Sequence, residues 1–439
     1  GLVREAVYCM SDKKWSNVCT EANTCGLTGA AAFFAGIPDA VIVTNGPLWC
    51  YFYALRYLEK PCAELGSRFY CTQADNHAVV YGTEESLLKT LEQIRQNCQP
   101  SVILIENSCA IGLIGDDIEG IARQAAMPCP VVCIDSGGLK GGFWEGYRAA
   151  AKSYFTAMPL KPRRMALPWT INLIGCTVGY YNSENDLREL KRLLSLAGYQ
   201  VLACPGAGSS TAEIACMQAE LNIVVHEELG LELAQFLQQA YGTPYVSLLP
   251  PYGMEGTVNW LKRIGEIMWQ EEGRMQPVWQ EVQELEQKIR VATLDAQRVW
   301  GDLWFESTLV AAPASVALAV AQAVRSEWAD TGPVTVLSHS GSCACQPPAG
   351  IDQVLDGGCL GAGISKQLEL LPGGLLLASS NEKALLQKAG ITDVIFQPIA
   401  LPVYDEINLS DRPLLGLRGA CHMLEQLWNQ YIHLCQRWR

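Results

Sequence analysis

The chain has 439 residues, 49% of them hydrophobic, with 18 cysteines and a formal net charge of −13. That length predicts two to four domains rather than one core, and an acidic chain without a basic run argues against a nucleic-acid partner, because phosphate binding needs concentrated positive charge. No apolar stretch approaches the ~20 residues of a membrane-spanning helix, and GLVREAVYCMSDKK lacks the apolar core of a secretory signal, so no membrane role and a cytoplasmic location are expected.

Short β-branched runs alternate with helical segments from end to end, the pattern of doubly wound α/β units with mostly parallel sheets. DAVIVTNG, SVILIEN and PVVCIDS read as strands, with helices around ESLLKTLEQIRQ and DDIEGIARQ between them. The basic, proline-bounded KPRRMALP closes this first unit, residues 1–165. A second unit, 166–275, runs through strands TINLIGCTVG, YQVLACPG, LNIVVHE and TPYVSLLP and helices NDLRELKRLLSLAG, LGLELAQFLQQAYG and TVNWLKRIGEIM. The third, 276–439, opens on a long polar helix read as a spacer, QPVWQEVQELEQKIRVATLDAQRV. STLVAAP, helix ASVALAVAQAVRSE, strands PVTVLSH, GGLLLAS and TDVIFQP, and a closing helix follow. The fold expected is α/β, three Rossmann-like domains in series.

Most cysteines read as small buried hydrophobes: Cys133 in PVVCID, Cys176 in INLIGCTV and Cys204 in VLACPG. No C-x-x-C pair exists, which argues against a zinc ribbon or a thioredoxin-like site. Cys25 in NTCGLTGAAAFF, Cys50 in NGPLWC and Cys109 in IENSCAIGLIGDD differ. Cys50 and Cys109 follow strands, and in open α/β sheets ligands gather outside the carboxyl ends of parallel strands. Cys25 reaches the same rim from the preceding loop. Soft thiolates converging there suit an iron–sulfur cluster. Gly26, Gly46 and Ala110 beside them let backbone approach it and offer N–H groups. Asp116, Asp117 and Glu119 look like acid–base candidates, but D-x-x-E at the start of a helix reads better as a cap on Asp116.

The order TCGLTGA, NGPLWC, VVYGTEESL and NSCAIGLIGDDIEG resembles the nitrogenase component 1 family, which includes molybdenum–iron protein subunits, cofactor-assembly proteins and dark-operative protochlorophyllide reductase subunits. The likeness runs on through TINLIG, LNIVVHE, QQAYGTPY and PVYDEINLSDRPLLGLRGA. It implies that Cys25, Cys50 and Cys109 supply one subunit's share of an interfacial cluster, a 4Fe–4S cube or a larger P-cluster-like group. It also implies a homologous or identical component 1 partner sharing that cluster and an ATP-dependent iron protein as electron donor. A second metal or a tetrapyrrole cofactor is a further possibility, between the three units near His226 and residues 205–211. The function expected is a nitrogenase-like oxidoreductase subunit; the alternative is a scaffold on which a metal cofactor matures.

The chain departs from the subunit that holds the molybdenum cofactor at both of that cofactor's ligands. His226 in LNIVVHE stands where that pattern has a cysteine, and QPIALPVYDE carries no histidine. His226 is a candidate metal ligand, or a hydrogen-bonded structural residue. CPGAGSSTAE, residues 204–213, reads as a strand–helix turn, an anion cradle or a cavity wall, and Lys140 in GGLKGG could face an anion. Cys62 and Cys71 are candidate auxiliary ligands, Cys9 and Cys19 match no recognisable site, Cys343 and Cys345 sit in a third-unit loop, and His77 reads as structural.

Overall fold

Val, Ile and Leu fill the central strands so densely that both faces must be covered, and the computed structural model covers them with helices. It describes residues 24–162, 165–341, 347–357 and 367–437. The first sheet comprises β1 (Ala40–Asn45), β2 (Phe69–Cys71), β3 (Val102–Asn107) and β4 (Val131–Asp135) in the order β2-β1-β3-β4. All pairs are parallel, and Asn45 of β1, Asn107 of β3 and Asp135 of β4 share one register. The chain therefore leaves three adjacent strands along a single edge. Around the sheet lie α1 (Gly26–Ala35), α2 (Leu48–Leu58), α3 (Asn76–Tyr81), α4 (Glu84–Asn97), α5 (Cys109–Ile114), α6 (Ile118–Ala125) and α7 (Phe143–Ala157).

The second sheet, β5 (Leu167–Ile174), β6 (Gln200–Val201), β7 (Ala219–Val224) and β8 (Tyr245–Ser247), is ordered β6-β5-β7-β8. Its helices are α8 (Ser183–Leu196), α9 (Thr211–Ala215), α10 (Glu227–Tyr241) and α11 (Gly253–Ile267). After α12 (Gln276–Trp300) come β9 (Trp304–Phe305), β10 (Thr308–Ala312), α13 (Ala314–Ala323), β11 (Asp330–Thr331), β12 (Val334–Ser338), β13 (Gln353–Asp356), β14 (Leu375–Ala378), α14 (Ser380–Lys388), β15 (Ile395–Pro398) and α15 (Gly416–Arg437). The third sheet runs β13-β12-β10-β14-β15, again parallel, and β9 pairs with β11. Among the described residues no helix is long and apolar enough to cross a membrane.

Helix α7 carries no clear signal in the sequence, yet with α1 it forms the most intimate helix pair of the first unit. Glycines permit it. A Cβ on Gly29 would stand 1.8 Å from Phe143 O, and one on Gly146 1.8 Å from Gly26 O. Phe33 packs edge-on to Tyr147 and Tyr154 just beyond this crossing, with all three rings fully buried.

The long polar helix α12 is more than a spacer. Val278 and Val282 are buried, and Glu281 takes a two-pronged ion pair from Arg192 of α8 at 2.8 Å. Helix α15 packs on α8, α11 and α12, and its entry is fixed by Asp186 of α8, whose Oδ1 accepts from Leu414 N at 2.6 Å. Burial pushes the Asp186 carboxyl up to about 7, against the pull of the Leu414 and Leu415 N–H groups. The folded protein thus holds that proton more tightly than the unfolded chain, where an aspartate titrates at ~3.9. The stability this group supplies is complete below the unfolded value and disappears as pH rises through about 7,. Urea midpoints should fall with rising pH across this window, and Asp186→Asn should flatten the slope.

Candidate functional site

Each of the three singled-out thiols stands at the start of a helix on the carboxyl edge of the first sheet. Cys25 is the N-cap of α1, Cys109 is the first residue of α5 behind Ser108, and Cys50 lies in the first turn of α2 behind Pro47. Pro47, which cannot extend β1, caps the helix that carries Cys50,. Unpaired N–H groups at helix starts favour negative charge, and here the Leu27 and Thr28 N–H groups point at the Cys25 sulfur.

The thiols lie within electrostatic reach of one another. Burial pushes Cys50 up to about 11, with further upward pushes from Cys25, Cys109, Cys71 and Glu106. Cys25 is raised by burial first and also feels Glu106 and Cys109. Among the described residues no three His, Cys, Asp or Glu side chains come close enough to hold a single metal ion. A group held by all three thiols must be larger than one ion.

Unpaired buried polar atoms crowd the same edge. Glu106, wholly buried on β3, accepts from Thr44 Oγ1 at 2.9 Å through Oε1 and has no partner for Oε2. Burial holds its carboxyl well above the ordinary range. Ser108 Oγ, Ser136 Oγ and Thr24 Oγ1 are likewise buried without partners. Ser108 precedes Cys109, Thr24 precedes Cys25, and the Ser136–Gly137 turn lies against Cys109: a Cβ on Gly137 would sit 2.7 Å from Cys109 N. Each such orphan costs roughly 1–3 kcal/mol. Hydroxyls that can turn a proton toward sulfide, set among thiols at helix starts, fit an iron–sulfur cluster.

Gly26 and Gly46 have a different role from the one their positions suggest. Gly26 N–H donates to Gly141 O at 3.0 Å and Gly46 N–H to Thr72 Oγ1 at 3.0 Å, so neither is available to a guest. Their missing Cβ atoms admit Ser136 O and the Ser108 side chain, at 2.9 and 2.5 Å. The cap of α6 is also displaced by one residue from the expected one. Asp117 Oδ1 accepts from Gly120 N at 2.9 Å, while Asp116 Oδ2 accepts from Thr83 N and Oγ1 at 2.6 and 2.8 Å, securing the start of α4. Asp117→Ala should cost about 1 kcal/mol, the usual worth of an N-cap, read from the urea midpoint.

The 204–213 loop is a packed strand–helix turn. Several of its N–H groups are spent within the fold: Gly208 on Gly36 O at 2.6 Å, Thr211 on Asp39 at 2.9 Å, Ser210 on Glu213 at 2.7 Å. Lys140 pairs with Asp135 at 3.4 Å. Cys71 Sγ lies 3.5 Å from Gly46 O, beside the rim, whereas Cys62 lines the cavity described next. Cys133 packs among Ile121 and Ala122 on the other side of the sheet, and burial pushes it up to about 12. Cys9, Cys19, Cys343 and Cys345 lie outside the described residues.

A cavity of about 530 Å³ opens between the three sheets. Tyr57 and Trp144 wall it from the first unit, Tyr180 and His226 from the second, Pro313 and Leu401 from the third. Ala207 and Gly208 line it too, which is where the glycine-rich loop contributes. His226 sits at the start of α10, 9% exposed, with Nδ1 2.9 Å from Ser315 Oγ and its ring edge-on to Tyr180. Burial pushes its imidazole down to about 3, so it is neutral near pH 7. Sequence reasoning named His226 but not its neighbours Tyr180, Glu228 and Ser315; the local hint was a carboxylate two residues beyond the histidine.

Residues 25–432 match the family model described as nitrogenase component 1 type oxidoreductase. The chain belongs to that family. Over 285 residues it is 26% identical to the nitrogenase iron-molybdenum cofactor biosynthesis protein NifE of Methanococcus maripaludis, covering 61% of this chain and 58% of the relative. It is 28% identical over 266 residues to the nitrogenase molybdenum-iron protein alpha chain of Methanosarcina barkeri, covering 57% and 47%. With a subunit of the light-independent protochlorophyllide reductase of Chloroflexus aggregans it shares 29% over 206 residues, 44% and 36%. The chain thus spans about one third to three fifths of these curated relatives. The solved structure of nitrogenase Cp1 at pH 6.5 superposes with a TM-score of 0.74 at 17% identity, covering 95% of this chain and 93% of that one, so the two share one α/β fold.

Proposed function

We propose that this chain is one subunit of a nitrogenase-like two-component reductase, with Cys25, Cys50 and Cys109 holding an iron–sulfur cluster at the rim of the first sheet. The observation that carries the reading is the coincidence of three thiols with the unpartnered Glu106 Oε2, Ser108 Oγ and Ser136 Oγ on one edge of the first sheet. When bound, the cluster supplies a store for low-potential electrons. The protein's part is to keep the thiols dry, offer them helix-start N–H groups, and direct hydroxyl protons at sulfide. An iron protein driven by ATP is the proposed electron donor.

Three thiolates leave part of a four-iron cube for another chain to hold. Beside Cys50, Trp49 and Tyr53 of α2 are 68% and 66% exposed and stack on each other, with Leu48 and Phe52 also exposed. Such an apolar surface next to an incomplete site suits a homologous or identical subunit. The cavity around His226 then receives the substrate or a second cofactor.

A scaffold for cofactor maturation is the second reading, favoured by the match to relatives named as cofactor biosynthesis proteins. Multiple-turnover reduction of a small substrate by the protein with its reductase supports the enzyme. A metal group that leaves intact to an acceptor protein, without turnover, supports the scaffold.

A further inference from the structure

The hydrogen bonds behind His226 run in one direction. Trp144 Nε1 can only donate, and it donates to Tyr180 OH at 2.8 Å; the phenol passes its own proton toward Glu228 Oε1, also at 2.8 Å,. Ser315 directs both its hydroxyl and its backbone N–H at the same carboxylate, at 2.9 and 3.3 Å. Three donors on two oxygens is the arrangement of an acceptor-only carboxylate. Burial raises the Glu228 carboxyl, and the Tyr180 and Ser315 donors oppose that rise. With its proton spent, Ser315 Oγ can only accept from His226, 2.9 Å away. The proton of the neutral imidazole therefore sits on Nδ1. Among the described residues nothing bonds Nε2, and the ring lines the cavity.

We propose that Ser315 and Glu228 are positioning residues that hold His226 as the Nδ1–H tautomer, so that its Nε2 lone pair fills an open coordination position of a metal-bearing guest in the cavity. The tautomer of a metal-binding histidine is set by the bond its other nitrogen makes, and carboxylate partners acting through a hydrogen bond raise its donor strength. The chain of hydrogen bonds crosses all three units: Trp144 belongs to the first, Tyr180, His226 and Glu228 to the second, Ser315 to the third. Seating α13 against α10 thus also sets the ligand. This inference rests on the reading that the cavity receives a guest, but not on the rim cluster.

The test is nitrogen-15 NMR of the full protein labelled only in its five histidines, with His226 assigned by loss of its signal in His226→Gln. The expected native signature is a protonated Nδ1 and a bare Nε2, giving way to mixed tautomers in Ser315→Ala and Glu228→Gln. Zinc nitrilotriacetate, a chelate with open positions, should then move the Nε2 resonance of His226, with exposed His77 and His433 as internal references. A protonated Nε2 in the native protein, an unchanged tautomer in both variants, or a chelate that moves His77 and His433 but leaves His226 in place would overturn the proposal. An iron-free rim with the His226 pattern intact would instead remove the cluster reading and leave this one standing.

Discussion

Cys109→Ala should strip most of the iron and visible absorbance from the anaerobically purified protein, whereas Cys133→Ala should leave both nearly unchanged. The two thiols sit on adjacent strand–helix units but face different surroundings. Cys109 opens α5 at the carboxyl edge, next to Ser136–Gly137 and within electrostatic reach of Cys25 and Cys50. Cys133 lies within β4, opposite Ile105, among aliphatic side chains. Both substitutions remove one sulfur from a partly buried setting, so their costs to folding are similar. Their costs to metal binding are not. Losing an outer partner of a metal ligand already weakens binding by about 10–100-fold, and losing a ligand takes more. Iron analysis and absorbance on matched preparations check this; equal losses in the two variants would contradict the assignment.

The second large effect concerns the frame that carries Cys25. Gly146→Ala should destabilise the protein by about 3 kcal/mol or more, the upper range for overpacking, because the new methyl would stand 1.8 Å from Gly26 O. That oxygen belongs to backbone and has no rotamer to change. The helices must part, and Gly26, the residue after Cys25, moves with α1. A lower urea midpoint and weaker cluster binding should appear together. Gly66→Ala is the control: nothing lies within 4 Å of the added carbon, so its stability should stay within about 0.5 kcal/mol of the parent. Equal midpoints for the two variants would show that α1 and α7 do not meet as described.

Much of the fold was legible because parallel strands covered on both faces read as nearly continuous apolar runs; β1, β3, β10 and β14 announce themselves so,. Helix α7 was not, since FWEGYRAAAKSYFTA makes sense only against α1, where Gly146 and the alanines permit close approach. Short β2 and β13 carry too few residues to show a period. The thiol rim was legible through motif order. Asp116 and Asp117 are neighbours, and which one caps α6 depends on Thr83, 33 positions away. The reach from Glu228 to Ser315 spans 87 positions. No local pattern encodes it; only the seating of the third unit on the second does.

Iron and acid-labile sulfide, measured per chain on protein purified without oxygen, test the central claim most directly. Both elements should be present in near-equal amounts, retained through gel filtration and lost together in Cys25→Ala, Cys50→Ala and Cys109→Ala. A folded protein that carries neither, and takes up neither when supplied with iron, sulfide and a homologous partner subunit, would contradict a cluster on this rim.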